Sequence, residues 1–307
     1  MILAIGNINL DWICTLPHLP EPDEKLNIQQ LSIHPGGGAS NFAVSLARLG
    51  SDAALFGHVG NDAEGTEALR SLKEEKVDTS RVIIEVTLST GFVIILVSGD
   101  GQTMKLRFRG ANTKLSSKDI TPTLLEDIDI AHAASVSIPI AKKLAATSAR
   151  VGTLSSIDVG EELITQSIEE VRAMICSFSI VFMNKLVFER IFNEKPTPKK
   201  VQEELGGNLE VLNVTLGAKG SITATTNTAF QTPAFNVKAV DTTGAGDAFG
   251  AGFIHFFNQH YPIEKTAVRA TAAAAMQITQ PGARAGLPTA REVEEFINTH
   301  TNKQRIR

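Results

Sequence analysis

The sequence predicts an α/β fold: a doubly wound, mostly parallel sheet flanked by helices, with a small β-sheet lid. Short apolar strands alternate with amphipathic helices along most of the chain, and two β-rich stretches interrupt that alternation. A chain of 307 residues is long enough to bury one large core. We therefore expect one domain over residues 1–307, with a lid formed by about 12–35 and 88–110.

The regular part of the chain supplies the strands and helices of the main sheet. Short apolar runs predict strands near 2–6, 53–57, 128–134, 154–158, 179–183 and 210–215. Helical periodicity of apolar residues predicts helices near 40–49, 63–75, 246–258, 263–278 and 289–298. Gly50 follows the first of these helices directly, as glycine often does at a helix C-terminus.

The two irregular stretches predict the lid. Residues 12–35 contain four prolines and short β-like runs, and residues 81–109 have the pattern of consecutive strands. The tetrapeptide Ser98-Gly99-Asp100-Gly101 predicts a hairpin turn between strands at 91–97 and 103–108. Antiparallel pieces inserted into an α/β domain are typical of a lid that closes over a substrate and excludes water.

Composition and charge exclude several classes of protein. The net charge of −4 comes from scattered residues, so no basic surface for nucleic acid is expected. No apolar run approaches the ~20 residues that span a bilayer, and the first residues lack the basic segment of a signal peptide. Cys14 and Cys176 are too few for a disulfide framework and fit a reducing compartment. We expect a cytoplasmic protein that binds no membrane.

The most informative stretch is the run at 241–252, Asp-Thr-Thr-Gly-Ala-Gly-Asp-Ala-Phe-Gly-Ala-Gly. It places a glycine-rich turn before a predicted helix, where unpaired N–H groups and the helix dipole favour an anion such as phosphate. Asp247 at the start of that helix suggests a base for a hydroxyl that attacks the phosphate. An ordinary strand–turn–helix connection with Asp247 as a capping acid is the alternative. The chain contains no G-x-x-x-x-G-K-[ST] phosphate loop.

Two further polar segments are candidates for substrate binding. Asn9 and Asp11 follow the first strand, at the strand end where open α/β sheets bind ligands. They suit substrate hydroxyls, or they belong to a polar loop with an Asx turn. The glycines at 36–38 allow close approach of a ligand ahead of Asn41. The alternative there is a hinge, with Ser40 or Asn41 as a helix cap.

Charged residues outside these segments indicate a function less specifically. Arg107 and Arg109 flank Phe108, and strand alternation predicts both on one face of the lid, as a solvated edge or as a clamp for an anionic substrate group. Lys219 either contacts nucleotide phosphates or is a solvated turn residue. The histidines show no metal-ligand spacing, so no metal site is expected on them.

Together these motifs resemble the ribokinase-like (PfkB) carbohydrate kinase family over nearly the whole chain. The second signature of that family resembles the run at 241–252, and the first resembles Gly36–Asn41 with the helix that follows. The segment Gly57–Gly65 resembles its G-x-x-G-x-D-x-x-G element. Further landmarks occur in the family's order at Thr90-Gly91, Gly110-Ala111-Asn112 and Thr215-Leu216-Gly217.

The resemblance implies an ATP- and Mg²⁺-dependent phosphotransferase with a ribokinase-like fold. The catalytic positions it implies are the base Asp247 and an anion hole made by the backbone N–H groups of Gly244, Ala245 and Gly246. The expected acceptor-binding residues are Asn9, Asp11, Gly37, Gly38 and Asn41, to which the lid pattern adds Arg107 and Arg109. The expected nucleotide-binding residues are Asn184, Thr215, Gly217, Lys219 and Gly282.

The resemblance also implies a cation site, and the chain departs from the family pattern at two places. Asp241 and Thr243 match positions that many members use for a potassium-type cation, so K⁺ is a candidate third cofactor. The family often has N-x-x-E where this chain has Asn184 followed by Val187. The stretch 277–286 lacks the side chains of the family's cation loop, which argues against activation by K⁺.

The acceptor is left open among three classes. A neutral sugar such as ribose or fructose ranks first, a nucleoside second and a 2-keto-3-deoxy sugar acid third. One Trp and one Tyr offer little surface for stacking a base, whereas Arg107 and Arg109 favour the acid. A non-catalytic ligand-binding protein on the same fold is a further alternative. The resemblance also implies a homodimer through the lid.

Overall fold

The computed structural model describes residues 1–165 and 167–305. The strands, numbered in chain order, are β1 Ile2–Gly6, β2 Asn9–Leu16, β3 Gln30–Gly36, β4 Ala53–Phe56, β5 His58–Gly60, β6 Ile83–Glu85, β7 Gly91–Ser98, β8 Thr103–Phe108, β9 Ile130–Ala134, β10 Leu154–Val159, β11 Ile180–Asn184, β12 Val211–Thr215, β13 Ser221–Thr225 and β14 Ala229–Thr232. The α-helices are α1 Gly38–Leu49, α2 Ala63–Glu74, α3 Ile138–Val151, α4 Glu161–Ile164, α5 Ile168–Ile175, α6 Lys185–Phe192, α7 Pro198–Glu203, α8 Ala245–Asn258, α9 Ile263–Gln277 and α10 Ala290–Arg305.

The main sheet has eight strands in the order β14-β13-β12-β11-β10-β9-β1-β4. The strands from β12 to β4 are parallel, and β13 and β14 add an antiparallel edge. The predicted fold class is confirmed, and the predicted strands and helices of the main sheet begin within about two residues of the observed ones. The edge strands β13 and β14 were not predicted, because their short runs contain mostly Thr, Ala and Ser.

The topology creates a crevice at the carboxyl end of β1. This strand pairs with β4 on one side and with β9 on the other, so the order of the strands reverses there. Loops that leave a parallel sheet in opposite directions at such a point open a cleft for ligands. The site described below lies at this edge.

The side chains of β1 divide the core into two layers. Ile2 and Ala4 pack with α1 and α8 on one face of the sheet, whereas Leu3 and Ile5 pack with α3 on the other. Because strand residues alternate between faces, an unbroken apolar strand is buried on both sides. The packing of α1 against α8 brings their N-termini together at the carboxyl edge of the sheet. No helix in the described part of the chain is both long and apolar enough to cross a membrane.

A separate four-stranded sheet, which we call the lid, has the order β3-β2-β7-β8. It begins at Asn9, three residues before the predicted segment. The pair β2–β7 is parallel, and only the outer pairs are antiparallel as expected. The predicted hairpin turn is confirmed by the bond from the Gly101 amide to the Ser98 carbonyl at 2.9 Å. Strand β6 does not join this sheet but pairs with β5.

Buried and partly buried polar side chains attach the lid to the main sheet. Asp62 caps α2 through the Gly65 amide at 2.8 Å and also accepts bonds from the amide and hydroxyl of Thr90, at 2.7 and 2.6 Å. Asn112 accepts from the Ile8 amide at 3.0 Å and donates to the side chain of Asn9 at 2.8 Å. The starts of the paired strands β2 and β7 are therefore both fixed by side-chain hydrogen bonds.

Candidate active site

Two helices begin next to each other at the crevice, and each is preceded by a glycine. Gly37 precedes α1 with φ 95°, and Gly244 precedes α8 with φ 76°, a backbone region that other residues rarely adopt. A Cβ atom on Gly244 would lie 2.5 Å from the carbonyl oxygen of Ala283. Because glycine has no side chain, it cannot cap the first amides of either helix.

The start of α8 has free hydrogen-bond donors. The Ala245 amide donates to the Thr242 carbonyl at 3.2 Å and the Ala248 amide to the Gly244 carbonyl at 2.9 Å. Between these two, the amides of Gly246 and Asp247 have no acceptor among the described residues. Gly246 is exposed, and nothing lies within 4 Å of the position of a Cβ atom there. An anion at this point would meet two unpaired N–H groups and the positive end of the helix dipole.

Asp247 lies in the first turn of α8 and is bound by α1. The Asn41 side-chain amide donates to Asp247 Oδ2 at 3.0 Å. The other oxygen, Oδ1, lies 3.6 Å from the position that a Cβ atom would take on Gly38. One carboxylate oxygen is thus held in place, and the other borders the glycine loop at the crevice.

The surroundings of Asp247 make it a poised acid or base. Although part of the residue is accessible to solvent, crowding by protein raises the pKa of its carboxyl, and the nearby Asp158 raises it further. The hydrogen bond from Asn41 and the charge of Arg284 lower it, and Asp11 raises it slightly, for a net pKa of about 7. The carboxyl can therefore gain or lose a proton near neutral pH.

Asp11 lies on the lid strand β2, against the glycine loop. A Cβ atom on Gly36 would overlap its carboxylate, so the loop passes the acid only because that residue is glycine. Burial raises the pKa of Asp11 to about 6, partly offset by Arg284, Lys105 and His34. Above that pH the carboxylate is ionised and can accept hydrogen bonds from hydroxyl groups.

The other residues predicted to bind the acceptor substrate differ in whether their polar atoms are already used within the protein. Asn9 is 6% exposed, and its amide oxygen already accepts the bond from Asn112. Arg107 on β8 pairs with Glu162 of α4, across the cleft. The expected common face for both arginines is not maintained by strand alternation, because β8 ends at Phe108 and Arg109 has a helical backbone conformation.

Arg284 is a central residue that no motif indicated. It is 9% exposed, and its Nε donates to the Asn41 side-chain oxygen at 2.8 Å. One terminal nitrogen donates to the Ser40 hydroxyl at 2.5 Å and to the Gly36 carbonyl at 3.5 Å, and the other to the Ser71 hydroxyl at 3.4 Å. An isolated arginine in a loop gives no signal in the sequence, because its role arises only when the loop packs on α1.

Asp158 was also missed. It lies near the carboxyl end of β10, where burial and the nearby Glu162 raise its pKa to about 6. An acid at the end of the strand predicted at 154–158 was a usable signal, since strand ends at this edge of the sheet carry ligand-binding residues.

A cavity of about 480 Å³ lies beside the start of α8. The predicted residues Thr215 and Gly217 line it, and Ala245 and Gly246 border it. Two of its walls, which no motif in the sequence predicted, come from the segment after β14 and from α9 with the residue that follows it: Phe235, Asn236, Val237, Thr271, Ala274, Ala275 and Ile278. The cavity is large enough for much of a nucleotide, and the free amides of α8 lie at its edge.

The remaining predicted nucleotide residues lie outside that lining. Asn184 caps α6 by accepting from the Val187 amide at 2.9 Å, and its side chain is exposed. Lys219 is exposed at the end of a short 3₁₀ turn. Gly282 is buried, and its amide donates to Asp241 Oδ2 at 2.8 Å.

The predicted cation residues are already bonded within the protein. Asp241 accepts from the amides of Thr243 and Gly282 at 2.9 and 2.8 Å, and these bonds lower its pKa even though burial acts to raise it. The carbonyls of Thr243 and Gly282 accept from the amide nitrogen of the buried Gln277, at 3.2 and 2.6 Å. The side-chain amide of Gln277 thus joins the segment that carries Thr243 to the loop that carries Gly282.

The described residues contain no cluster of three or more side chains of the usual metal-ligating types. His132 instead stacks on Phe42, with ring centroids 3.7 Å apart, and His58 bonds to Glu85 at 2.8 Å. Burial lowers the pKa of His132 to about 3, so it is neutral at physiological pH.

Comparisons with known proteins agree with this geometry. Residues 1–290 match the model of the pfkB family carbohydrate kinases. An ATP-dependent ribose-1-phosphate kinase of Halopiger xanaduensis is 30% identical over 97% of this chain and 98% of its own. The crystal structure of Methanocaldococcus jannaschii nucleoside kinase has a TM-score of 0.84 at 27% identity, covering 97% of this chain and 98% of that one. A Thermotoga maritima ribokinase structure has the same score and identity, over 97% and 99% of the two chains.

We expect Asp247→Asn to raise the melting temperature of the ligand-free protein at about pH 8, and the gain to shrink toward about pH 5. An unfolded aspartate ionises near 3.8, whereas the folded carboxyl ionises near 7, so folding is opposed by this charge once the pH exceeds the lower value. Thermal denaturation across that pH range measures the effect.

Asp241→Asn is the matched control, because its carboxylate is stabilised by two amides and the substitution is expected to lower the melting temperature. An Asp247→Asn protein no more stable than wild type at either pH contradicts the assigned electrostatics.

Proposed function

The chain belongs to the pfkB family of carbohydrate kinases, and we propose that it transfers the γ-phosphate of ATP to a hydroxyl of a small ribose-like sugar. The observation that carries this proposal is the start of α8, where a carboxylate with a pKa of about 7 adjoins two unpaired amides. A base and an anion site within one helical turn suit phosphoryl transfer, which depends on positioning and charge stabilisation.

In the proposed reaction, Asp247 Oδ1 accepts the proton of the attacking hydroxyl. The hydrogen bond from Asn41 keeps Oδ2 occupied, so the carboxylate presents one oxygen to the acceptor. The amides of Gly246 and Asp247 stabilise the negative charge on the transferring group. The Asp11 carboxylate accepts hydrogen bonds from the other hydroxyls of the substrate and so determines which hydroxyl reaches Asp247.

The nucleotide would occupy the 480 Å³ cavity, with its phosphates toward Gly246. Mg²⁺ would suit this arrangement, because that ion is usually bound by one or two carboxylates together with the phosphates of the nucleotide. The carboxylate of Asp158, near the same edge of the main sheet, would provide an oxygen ligand for the ion. When bound, the ion would neutralise phosphate charge, while the protein supplies the base and the amides.

A neutral acceptor is favoured by how two of the site's three arginines are used; the third, Arg109, is exposed after the end of β8. Arg107 is paired with Glu162, and every nitrogen of Arg284 has an acceptor. Arg284 therefore has no nitrogen free for a carboxylate or phosphate of the acceptor, and Arg107 would have to leave Glu162 to bind one. The acidic side chains that remain, Asp11 and Asp247, suit hydroxyl groups.

A second candidate is an acceptor with an anionic group, such as a sugar 1-phosphate. The exposed Lys105 on β8 lies close enough to Asp11 and Asp241 for its charge to lower the pKa of both. The Halopiger relative named for ribose 1-phosphate makes this candidate specific. Nucleosides remain a third class, because the similar Methanocaldococcus jannaschii structure is that of a nucleoside kinase.

The lid also supports a homodimer. Ile33, Trp12, Ile94 and Leu106 form one row across its four strands, and Ile33 and Leu106 are 47% and 51% exposed. A continuous apolar row on the outer face of a small sheet is typical of a protein–protein contact.

We expect Mg²⁺-dependent ADP release from ATP with one acceptor among ribose, fructose, ribose 1-phosphate, 2-keto-3-deoxygluconate, adenosine, cytidine and inosine. Asp247→Asn should lower kcat by about 10²–10⁴-fold, the range of general-base catalysis. Since the base acts ionised, kcat/KM should fall as the pH drops through about 7, the pKa of Asp247 in the free protein.

Lys105→Ala separates the two leading acceptors. It should raise the KM for ribose 1-phosphate and leave the KM for ribose unchanged. If ATP binds but no acceptor is phosphorylated, or if Asp247→Asn retains full activity, the proposed function is wrong.

We expect turnover to change less than about twofold when K⁺ is replaced by choline or Tris at constant ionic strength. The amide of Gln277 already binds the two carbonyls that a monovalent cation would contact. Gln277→Ala should lower kcat in all these salts, because both loops lose that link. Strong activation of the wild type by K⁺ contradicts this expectation.

We expect the wild type to have the mass of a dimer by light scattering and Leu106→Glu to be monomeric, since a charge would be buried in the apolar row. Ile84→Glu is the control: Ile84 is 52% exposed but lies on β6, outside the lid. A monomeric wild type, or dissociation of both variants, rejects a dimer through the lid.

A further inference from the structure

Arg284 is the buried cation of the candidate site, and the proposed reaction does not use it directly. It lies in the loop between α9 and α10, yet its bonds go to the start of α1 and to α2. We propose that Arg284 is a positioning residue that fixes the orientation of the Asn41 amide and, through it, the Asp247 carboxylate. This inference rests on the proposed function and assigns a residue that no motif of the chain contains.

The two ends of the Asn41 side chain meet neighbours of opposite hydrogen-bonding character. Its oxygen accepts from Arg284 Nε at 2.8 Å, and its nitrogen donates to Asp247 Oδ2 at 3.0 Å. A reversed amide would turn N–H against N–H at the arginine and oxygen against oxygen at the carboxylate. Arginine has only donors and an ionised carboxylate only acceptors, so this pair of neighbours permits one orientation.

The guanidinium is itself held on all sides. Besides Asn41, it donates to the Ser40 hydroxyl, the Gly36 carbonyl and the Ser71 hydroxyl. The Arg284 carbonyl accepts from Arg48 at 2.7 Å. With 9% of its surface exposed and no free nitrogen, Arg284 is suited to hold neighbouring groups rather than to bind a substrate anion.

Arg48 is in turn fixed by Glu75, which accepts two of its bonds at 2.6 and 2.9 Å. The loop that carries Arg284 is thereby tied to α1 and to the end of α2. These contacts leave the guanidinium little freedom to move away from Asn41.

The charge of Arg284 also acts on the carboxylates around the crevice. Asp247 faces Asp158 from β10 and Asp11 from β2, and both raise its pKa. The charge of Arg284 lowers the pKa of both Asp247 and Asp11.

Other charged groups surround this set. Lys105 of β8 and His34 of β3 lower the pKa of Asp11, and Glu162 of α4 raises the pKa of Asp158. Glu75 raises the pKa of Arg284, whereas Arg48 lowers it. Burial lowers the pKa of Arg284 to about 10, so it stays charged throughout the physiological range. Its removal should therefore make Asp247 harder to ionise.

The test compares Arg284→Met, which removes the charge and the donors, with Arg284→Lys, which keeps the charge but not the guanidinium fork. In Arg284→Met we expect kcat to fall at least tenfold, the KM for ATP to stay near the wild-type value, and the acid limb of kcat/KM to move up by roughly one pH unit. In Arg284→Lys we expect a lower kcat with the acid limb near that of the wild type.

Arg269→Met is the matched control. Arg269 makes a two-bond pair with Glu294 at 2.6 and 2.9 Å, between α9 and α10 and outside the site. Its loss should lower the melting temperature and leave the acid limb unmoved. An acid limb that is the same in wild type and Arg284→Met, or a wild-type kcat in Arg284→Lys, overturns the inference, and the lysine variant decides it if the methionine variant does not fold.

A measurement without turnover separates this inference from the proposed function. The stability gained by Asp247→Asn is measured against pH in the wild type and in the Arg284→Met background. A gain that begins at the same pH but becomes larger without the arginine supports the coupling, even if no acceptor is phosphorylated. An unchanged gain excludes it.

Discussion

The hydrogen bond from Asn41 to Asp247 is the contact on which the candidate site depends. It joins residues 206 positions apart and connects the first turns of α1 and α8. Both helices pack on the same face of the sheet, but packing alone leaves them free to slide by fractions of an ångström. A partly buried polar bond restricts that freedom, because a misaligned pair would leave both partners poorly satisfied. The free amides of α8 and the glycine loop of α1 keep their relative position through it.

The electrostatics of the crevice are a balance of opposing effects. Three carboxylates, Asp11, Asp158 and Asp247, are crowded and partly dehydrated, and the pKa of each is raised. The buried Arg284 and two helix N-termini supply positive potential against them. The imbalance costs stability in the ligand-free protein, which is common where a site must bind additional charge. A bound cation or a proton shared with a substrate hydroxyl would relieve it.

The sequence predicted the parts of the site that lie within local motifs. Asp247, Asn41 and Asp11 could be found because each stands beside glycines or at the end of a predicted strand, where the backbone itself indicates a ligand. Arg284 and Gln277 could not, because each is a lone polar residue whose partners come from distant segments. The cavity walls after β14 and on α9 escaped for a different reason: apolar residues such as Val237, Ala274 and Ala275 line a cavity or fill a core equally well in sequence. Asn184, predicted to bind nucleotide, has a second role that the motif did not indicate, since its side-chain oxygen accepts a hydrogen bond in a helix cap.

The lid is held unequally at its two sides, and this determines where the cleft can open. At its root, Asp62 binds Thr90 and Asn112 binds Ile8 through largely buried hydrogen bonds, whose loss would leave polar groups dehydrated. At its far strand, β8 reaches the main sheet through the pair between Arg107 and Glu162, in which both side chains are substantially exposed. An exposed ion pair contributes about 0–1 kcal/mol, because water replaces each partner readily. We therefore expect the lid to separate from the main sheet more readily at β8 than at its root.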